Sequence, residues 1–353
     1  FVSMPEVQET FGKGPTKTNV RLKAGMDADL RVLPPESFGA ALQYFTGDKY
    51  HNVALREIAI KQGYKLSEYG LFKGRKQIAG ESEKEIYEKL GLDWMEPELR
   101  TNSGELDAAL RRKLPKLIGY SDIKGDMQVQ TDWTDGENSI KEMALAGKKA
   151  GLEYIVITDH TKSLAMTGGL DDKKLLKQMA EIDKIQKQVS GIKILKGSEV
   201  NILKDGTLDI SDEVLEKLDV VGVAVHSHFH MSEEDMTNRI IRAMKNPNVD
   251  IIFHPTGRII QKRDAYKLNM EEIFKAAKKT RTVLEIDAYP NRLDLKDDYI
   301  RRAVDMGIKL SIDTDAHHTS HFQYLEVGIA QARRGWAEKN DIINSRSWKE
   351  MIK

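Results

Sequence analysis

Six stretches of this chain end an apolar run on side chains that can hold a metal ion. Ile155-Val156-Ile157 leads into Thr158-Asp159-His160, and Ile194-Leu195-Lys196 into Gly197-Ser198-Glu199. Val223-Ala224-Val225 leads into His226-Ser227-His228, and Ile251-Ile252-Phe253 into His254. Leu284-Glu285-Ile286 is followed by Asp287, and Leu310-Ser311-Ile312 by Asp313, Asp315 and His317. Imidazole and carboxylate together suit divalent Zn, Mn or Fe. A single polar residue at such a place is more often a helix cap. Six in register are harder to explain that way, because an apolar strand has no need of ligand chemistry at the same end every time. Eight of the nine histidines fall after residue 150, which sharpens the clustering. The chemistry such a set performs is metal-assisted hydrolysis, in which cations neutralise an oxyanion and acidify a water.

The apolar runs are predicted strands over 123–129, 154–158, 192–195, 220–225, 249–253, 283–286 and 308–312, with amphipathic helical stretches between them. That rhythm means parallel βα units. So many units predict a closed or nearly closed (β/α) barrel, whose strand C-termini share one mouth. The first 35 residues are predicted β-rich, since 20–23 and 27–33 alternate with period two. A helix is predicted from Ser37 to Tyr44, closed at Gly47, and a second over 52–62, closed at Gly63. A hairpin is predicted over 64–76. Ser82 with Glu85 reads as a capping box for a short helix that ends at Gly91. Residues 105–122 read as a linker.

Lys+Arg and Asp+Glu balance at 55 each in 353 residues, which excludes a uniformly basic surface but not a local DNA track. With no cysteine, disulfide frameworks, zinc fingers and thiol nucleophiles are excluded. That composition fits a reducing compartment, and a cytoplasmic location without membrane attachment is the expectation. Phe1-Val2-Ser3-Met4 does not read as a native start, so a fragment lacking its N-terminal portion is expected.

The motifs Thr158-Asp159-His160, Glu199, Val225-His226-Ser227, His254-Pro255-Thr256-Gly257-Arg258 and Thr314-Asp315-Ala316-His317 resemble those of the PHP (polymerase and histidinol phosphatase) family. Gly125-Asp126-Met127-Gln128-Val129-Gln130-Thr131 with Trp133-Thr134-Asp135-Gly136 is similar to that family's first motif. The resemblance implies a distorted (β/α)7 barrel over 123–353, holding up to three divalent metals such as Zn, Mn or Fe. The implied ligands are Asp135, His160, Glu199, His226, His254, Asp315 and His317. One departure stands in the first motif: Gln128 and Gln130 occupy positions where the family has His-x-His or Gln-x-His. The ion they would share with Glu199 and Asp315 is thereby in doubt, since an amide oxygen is a poorer ligand than imidazole. Arg258 is placed to contact phosphate, and Arg292 has the same standing; a surface salt bridge is the bland account of either. His228, His230, His318 and His321 read as solvated loop residues.

Gly12-Lys13-Gly14-Pro15-Thr16-Lys17, Asp29-Leu30-Arg31, Tyr44-Phe45-Thr46-Gly47, Asn52, Arg56 and Ser82-Glu83-Lys84-Glu85-Ile86-Tyr87 resemble the late palm and the thumb of family X polymerases, the DNA polymerase beta type. The resemblance implies a small α+β region, with the palm end at 1–35 and the thumb at 36–104. Asp29 would be the third catalytic carboxylate; Tyr44, Phe45, Gly47 and Asn52 would line the incoming nucleotide, and Arg56 the template side. DNA, primed or gapped, is the implied partner, with dNTP and Mg in a full-length polymerase. The oligomeric state is left open. A palm needs three carboxylates on two Mg ions, and only Glu6 and Glu9 precede Asp27 as acids, so this chain alone is not expected to polymerise. The expected activity is hydrolysis of DNA phosphoesters, as a 3′–5′ exonuclease or 3′-end processor. The alternatives are a degenerate barrel serving as scaffold, and a histidinol phosphatase-like hydrolase.

Overall fold

The structure is a computed structural model that describes residues 1–351, so the last two residues of the expected barrel domain lie outside it. The chain divides into two units, Phe1–Leu114 and Pro115–Lys353.

The first unit opens with strands β1 (Val7–Lys13), β2 (Lys17–Leu22) and β3 (Asp27–Arg31), paired antiparallel in the order β1-β2-β3. Helices α1 (Phe38–Thr46) and α2 (Lys49–Lys61) follow, then strands β4 (Lys65–Ser67), β5 (Gly70–Lys73) and β6 (Lys76–Ala79). The expected hairpin is thus a three-stranded sheet. Helices α3 (Glu83–Lys89) and α4 (Glu105–Leu110) complete the unit. Asp48 starts α2 by accepting the His51 amide at 2.8 Å, a cap that moves the helix start ahead of the expected residue 52. At α3 only half of the expected capping box is made: Ser82 accepts the Glu85 amide at 3.3 Å. Ser37 precedes α1, but its hydroxyl donates to the Tyr69 carbonyl instead of capping the helix.

The expected linker is the main correction. Residues 105–114 belong to the first unit, because Glu105 is fully buried with its carboxylate 2.7 Å from His51 Nδ1. His51 Nε2 lies 2.9 Å from the Tyr87 hydroxyl, so α2, α3 and α4 are tied through one imidazole. Beside it, Arg100 grips Glu83 with two bonds of 2.6 and 2.9 Å and the Met95 carbonyl with two more.

The second unit carries the expected rhythm. Strands β7 (Gly125–Val129), β8 (Tyr154–Ile157), β9 (Lys193–Asn201), β10 (Val220–Ala224), β11 (Ile251–Ile252), β12 (Val283–Asp287) and β13 (Leu310–Asp313) lie parallel in sequential order. Between and after them run α5 (Ile140–Lys149), α6 (Asp172–Gln186), α7 (Asp212–Leu215), α8 (Glu233–Met244), α9 (Met270–Thr280), α10 (Asp297–Asp305), α11 (Leu325–Arg334) and α12 (Trp348–Met351). A bridge between Val129 and Ala316 brings the two ends of the sheet together, giving a nearly closed seven-stranded barrel.

Strand alternation divides the side chains. One parity, including Ile155, Val223, Ile286 and Ile312, packs with the helices in a large apolar shell. The other parity forms its own cluster: Met127, Tyr154, Val156, Leu195, Val220, Ala224, Ile251, Phe253 and Val283. This second cluster fills the barrel interior near the strand starts, and each large apolar side chain there contributes about 1.5–3 kcal/mol. Space inside is so tight that a Cβ on Gly222 would stand 1.9 Å from the Phe253 ring. Further along the same inward rows the residues turn polar. Strand β9 runs past its expected end to Asn201, which places Glu199 inside the sheet and not beyond it.

Candidate metal centre

The inward rows deliver Gln128, Glu199, Asp287 and Asp315 to one end of the barrel, and the loops add Asp135, His160, His226, His254 and His317. Glu199 is the hub. It is fully buried; its Oε1 lies 2.8 Å from His254 Nε2 and 3.0 Å from His226 Nε2. Its Oε2 faces His160 Nδ1 at 3.5 Å. On the other side of His160, Nε2 stands 3.6 Å from Asp135 Oδ2, and His317 Nε2 approaches the same oxygen at 3.6 Å. Two groups of three among the described residues could each hold an ion: Asp135, His160 and His317, and His160, Glu199 and His226. His254 completes the second group through Glu199.

Burial opposes ionisation of Glu199, yet the charge of His160 and the rings of His226 and His254 hold its carboxyl well below the usual range. Burial likewise works against a charged His317, but Asp315 and Asp135 outweigh it and raise the ring to about 10. Asp135 is lowered, with burial outweighed by His317 and His160.

Neighbouring groups aim these ligands, among them Asn201 and Gln178, which the sequence did not single out. Asn201 Oδ1 lies 2.7 Å from His226 Nδ1, which leaves Nε2 free to face the centre. The Asp315 carbonyl does the same for His317, 2.7 Å from its Nδ1. Asp159 accepts from the Thr131 amide and hydroxyl, the Thr134 hydroxyl and the Gln178 amide at 2.6–2.8 Å, and so pins the turn that carries Asp135. Alternation gave a signal for Asn201, two residues beyond Glu199 on the same face. His254 and Asp315 have left-handed backbones, with φ of +29° and +50°. Such positions cost about 1–3 kcal/mol each and concentrate at functional sites.

The opposite wall is different. Gln128 and Gln130 donate their side-chain amides to Glu199 Oε2 at 3.0 and 2.9 Å. Arg292 lies between two carboxylates, its Nε 3.3 Å from Asp287 and 3.5 Å from Asp315. Its guanidinium is not the surface group of the bland account. Arg258, expected at phosphate, instead donates to the carbonyls of Arg292 and Leu293. It shapes the loop that presents Arg292. Deeper still, burial raises Asp126 to about 8 and Asp313 to about 7.

The donor set therefore fits divalent ions on one side only. Imidazoles and carboxylates of the two groups suit Zn, Mn or Fe. The Gln128 and Gln130 wall presents N–H groups to the carboxylate and does not fit a further ion. His228 and His230 border a shallow depression with Lys204 and Asp205, away from the hub. His321 stacks on Tyr324 at 5.0 Å and accepts the His317 amide at 3.2 Å, a neighbour of the centre rather than a member. A groove of about 1100 Å³ lies on the outer helices and holds none of the ligand candidates.

In the first unit, Asp29 sits exposed on β3, bonded to Asn19, with Asp27 on the same face paired to Arg21. Asn52 holds the end of α1: its amide donates to the Tyr44 carbonyl at 2.7 Å and it receives Gln43 at 2.7 Å. A Cβ on Gly47 would stand 2.9 Å from Asn52 Oδ1, so glycine is required there by space. Phe45 is half exposed beneath Arg31, edge-on to Tyr44, and Arg56 donates to the Asn52 carbonyl at 3.3 Å. Tyr44, Phe45, Gly47, Asn52 and Arg56 thus share one corner of α1 and α2.

Comparison with known proteins bears on both units. The DNA polymerase beta thumb model matches residues 41–101. Over 99% of its length the chain is 37% identical to the DNA polymerase/3′-5′ exonuclease PolX of Bacillus subtilis (strain 168). The chain is thus similar along nearly its whole length to a family X DNA polymerase that carries an exonuclease activity in its name. It spans 62% of the length of that Bacillus relative. The chain is also 33% identical to a probable phosphatase of Thermoanaerobacter sp. (strain X514), over 59% of this chain and 84% of that protein. A probable phosphatase of Caldanaerobacter subterraneus subsp. tengcongensis is 30% identical over 51% of this chain and 70% of its own. The thumb match runs from α1 to just before α4. No helix among the described residues is long and apolar enough to cross a membrane.

Proposed function

We propose that the PHP barrel of this chain hydrolyses DNA phosphoesters with divalent metals, acting as a 3′–5′ exonuclease or 3′-end processor. The convergence of His160, His226, His254 and His317 on Glu199 and Asp135 is the observation that carries this reading. The thumb in the same chain supports DNA over a small metabolite, and the exonuclease activity named for the Bacillus relative points the same way. Bound Zn or Mn would supply Lewis acidity and an acidified water. The chain's own part is to hold His226 and His317 by their Nδ1 sides, fix Asp135 through Asp159, and keep Glu199 ionised. Tyr44, Phe45, Gly47, Asn52 and Arg56 would meet DNA or nucleotide, and Asp29 would complete a palm with Mg only in a longer protein. We assign the protein to the cytoplasm, where such a substrate is found.

The test is a 3′-labelled oligonucleotide incubated with Mn and this chain, beside histidinol phosphate and a primed template with dNTPs. We expect loss of 3′ nucleotides, little release of phosphate from histidinol phosphate and no primer extension. Faster turnover of histidinol phosphate would favour a metabolite phosphatase. Bound metal without cleavage of either substrate would favour a scaffold, the reading to which the Gln128 and Gln130 wall lends support.

A further inference from the structure

The acidic half of the centre has a cation of its own. Glu199, Asp287 and Asp315 line it, all nearly or fully buried. Three carboxylates this close in a low-dielectric interior require compensation. Each has a compensating group of the chain beside it: Glu199 Oε2 accepts the Gln128 and Gln130 amides, and the Arg292 guanidinium pairs its charge with Asp287 and Asp315 at 3.3 and 3.5 Å. We propose that the Arg292 guanidinium, with the Gln128 and Gln130 amides, takes the place of a third ion, so that this centre holds two metals and excludes one between Glu199 and Asp315.

The argument is one of complementarity. A metal ion and an N–H donor make the same demand on a carboxylate oxygen, and both cannot be met at one lone pair. To admit an ion, both glutamines would have to turn their oxygens inward and Arg292 would have to leave. Arg292 is held against leaving. Arg258 clamps the carbonyls of Arg292 and Leu293, and Asp287 accepts the Tyr289 amide at 2.7 Å, which fixes the start of the same loop. Two aspartates facing one arginine leave a net negative charge, which the imidazole-rich half can share with its ions. A lysine could supply charge here, but not a planar fork reaching two carboxylates at once.

The inference rests on the metal-centre reading and not on the choice of DNA as substrate. It is tested by metal content per chain, measured by elemental analysis after Mn loading and desalting of the full chain. We expect two Mn in the wild type and still two in Gln128→His/Gln130→His, where the guanidinium stays. Adding Arg292→Gln to that pair is expected to raise the content to three. Three ions in the wild type, three in the double variant, or two in the triple variant would each overturn the proposal. Should the triple variant not fold, Mn anomalous scattering from wild-type crystals decides. Peaks confined to the imidazole side support the proposal, and a peak between Glu199 and Asp315 overturns it. A chain that bound no ion at all would remove the metal-centre reading and this inference together, whereas a chain with three ions would remove this inference alone.

Discussion

His51 and His160 are both buried imidazoles facing glutamates, yet one builds a core and the other a site. Around His51 every demand is met. Glu105 takes one ring nitrogen, the Tyr87 hydroxyl the other, and the Asn102 and Ser103 amides complete the Glu105 carboxylate. Arg100 and Glu83 close on each other in the same way. Around His160 the demands outrun the supply. His160 Nδ1, Gln128 Oε1, Gln130 Oε1, Asp287 Oδ2, Asp315 Oδ1 and Arg292 Nη1 all lack a hydrogen-bond partner. A satisfied buried network holds a fold together, while an unsatisfied one is held by the fold and awaits a ligand. The thumb unit spends its buried charges on stability; the barrel keeps its own open.

That contrast can be broken in order of size. Arg100→Met takes away both guanidinium bonds to the partly buried Glu83 and leaves it only the Trp94 indole N–H, and should cost up to about 3–5 kcal/mol. Hydrogen-exchange protection of α2 and α3 measures it; unchanged protection would mean that the closed network does not support the thumb. Manganese at about a hundred times its dissociation constant should stabilise the barrel by about 2.7 kcal/mol and leave α2 and α3 unmoved. A barrel whose exchange ignores the ion would place His160 with His51. Asn201→Ala frees the His226 ring and should weaken metal binding about 10–100-fold, read by competition with a chromogenic chelator. Unaltered affinity would show that the Asn201 bond does not aim the ligand.

The smallest effect is one of pH. Burial raises Glu83 and Glu105, but Arg100 and His51 respectively more than offset it, so both carboxyls titrate below the usual 4.5. Their folded values are lower than their unfolded ones, so the stability they contribute is full above pH 4.5. It is lost as pH falls through the folded values. The thumb helices should therefore lose exchange protection in acid, and Glu105→Gln should flatten that dependence. An equal acid loss in the variant would put the linkage elsewhere.

Much of the barrel was legible because apolar runs and polar strand ends are local features. The seven parallel strands, and the meeting of His160, Glu199, His226, His254 and His317, need only the rule that strand C-termini share a mouth, whereas Asp135 was named by the family resemblance. Glu285 and Asp287 also alternate inward with Val283, a pattern visible before any coordinates. Arg258 and Arg292 were indistinguishable in sequence, since each follows a strand end by a few residues. Only the path of the loop after β12 separates the arginine that enters the centre from the one that clamps its backbone. The end of the first unit was missed for a similar reason. Glu105 looks like a solvated linker charge until the fold brings it to His51, more than fifty positions away.

The central claim is that these acids and imidazoles bind catalytic ions. It is tested most directly by following bound Mn and cleavage of a 3′-labelled oligonucleotide in the same samples across a metal titration, for the wild type and His226→Ala. The account expects cleavage to rise in step with bound metal and to fall at least about 100-fold in the variant, more than loss of a supporting residue would cause. Cleavage that persists in the metal-free chain, or that survives His226→Ala undiminished, would contradict it.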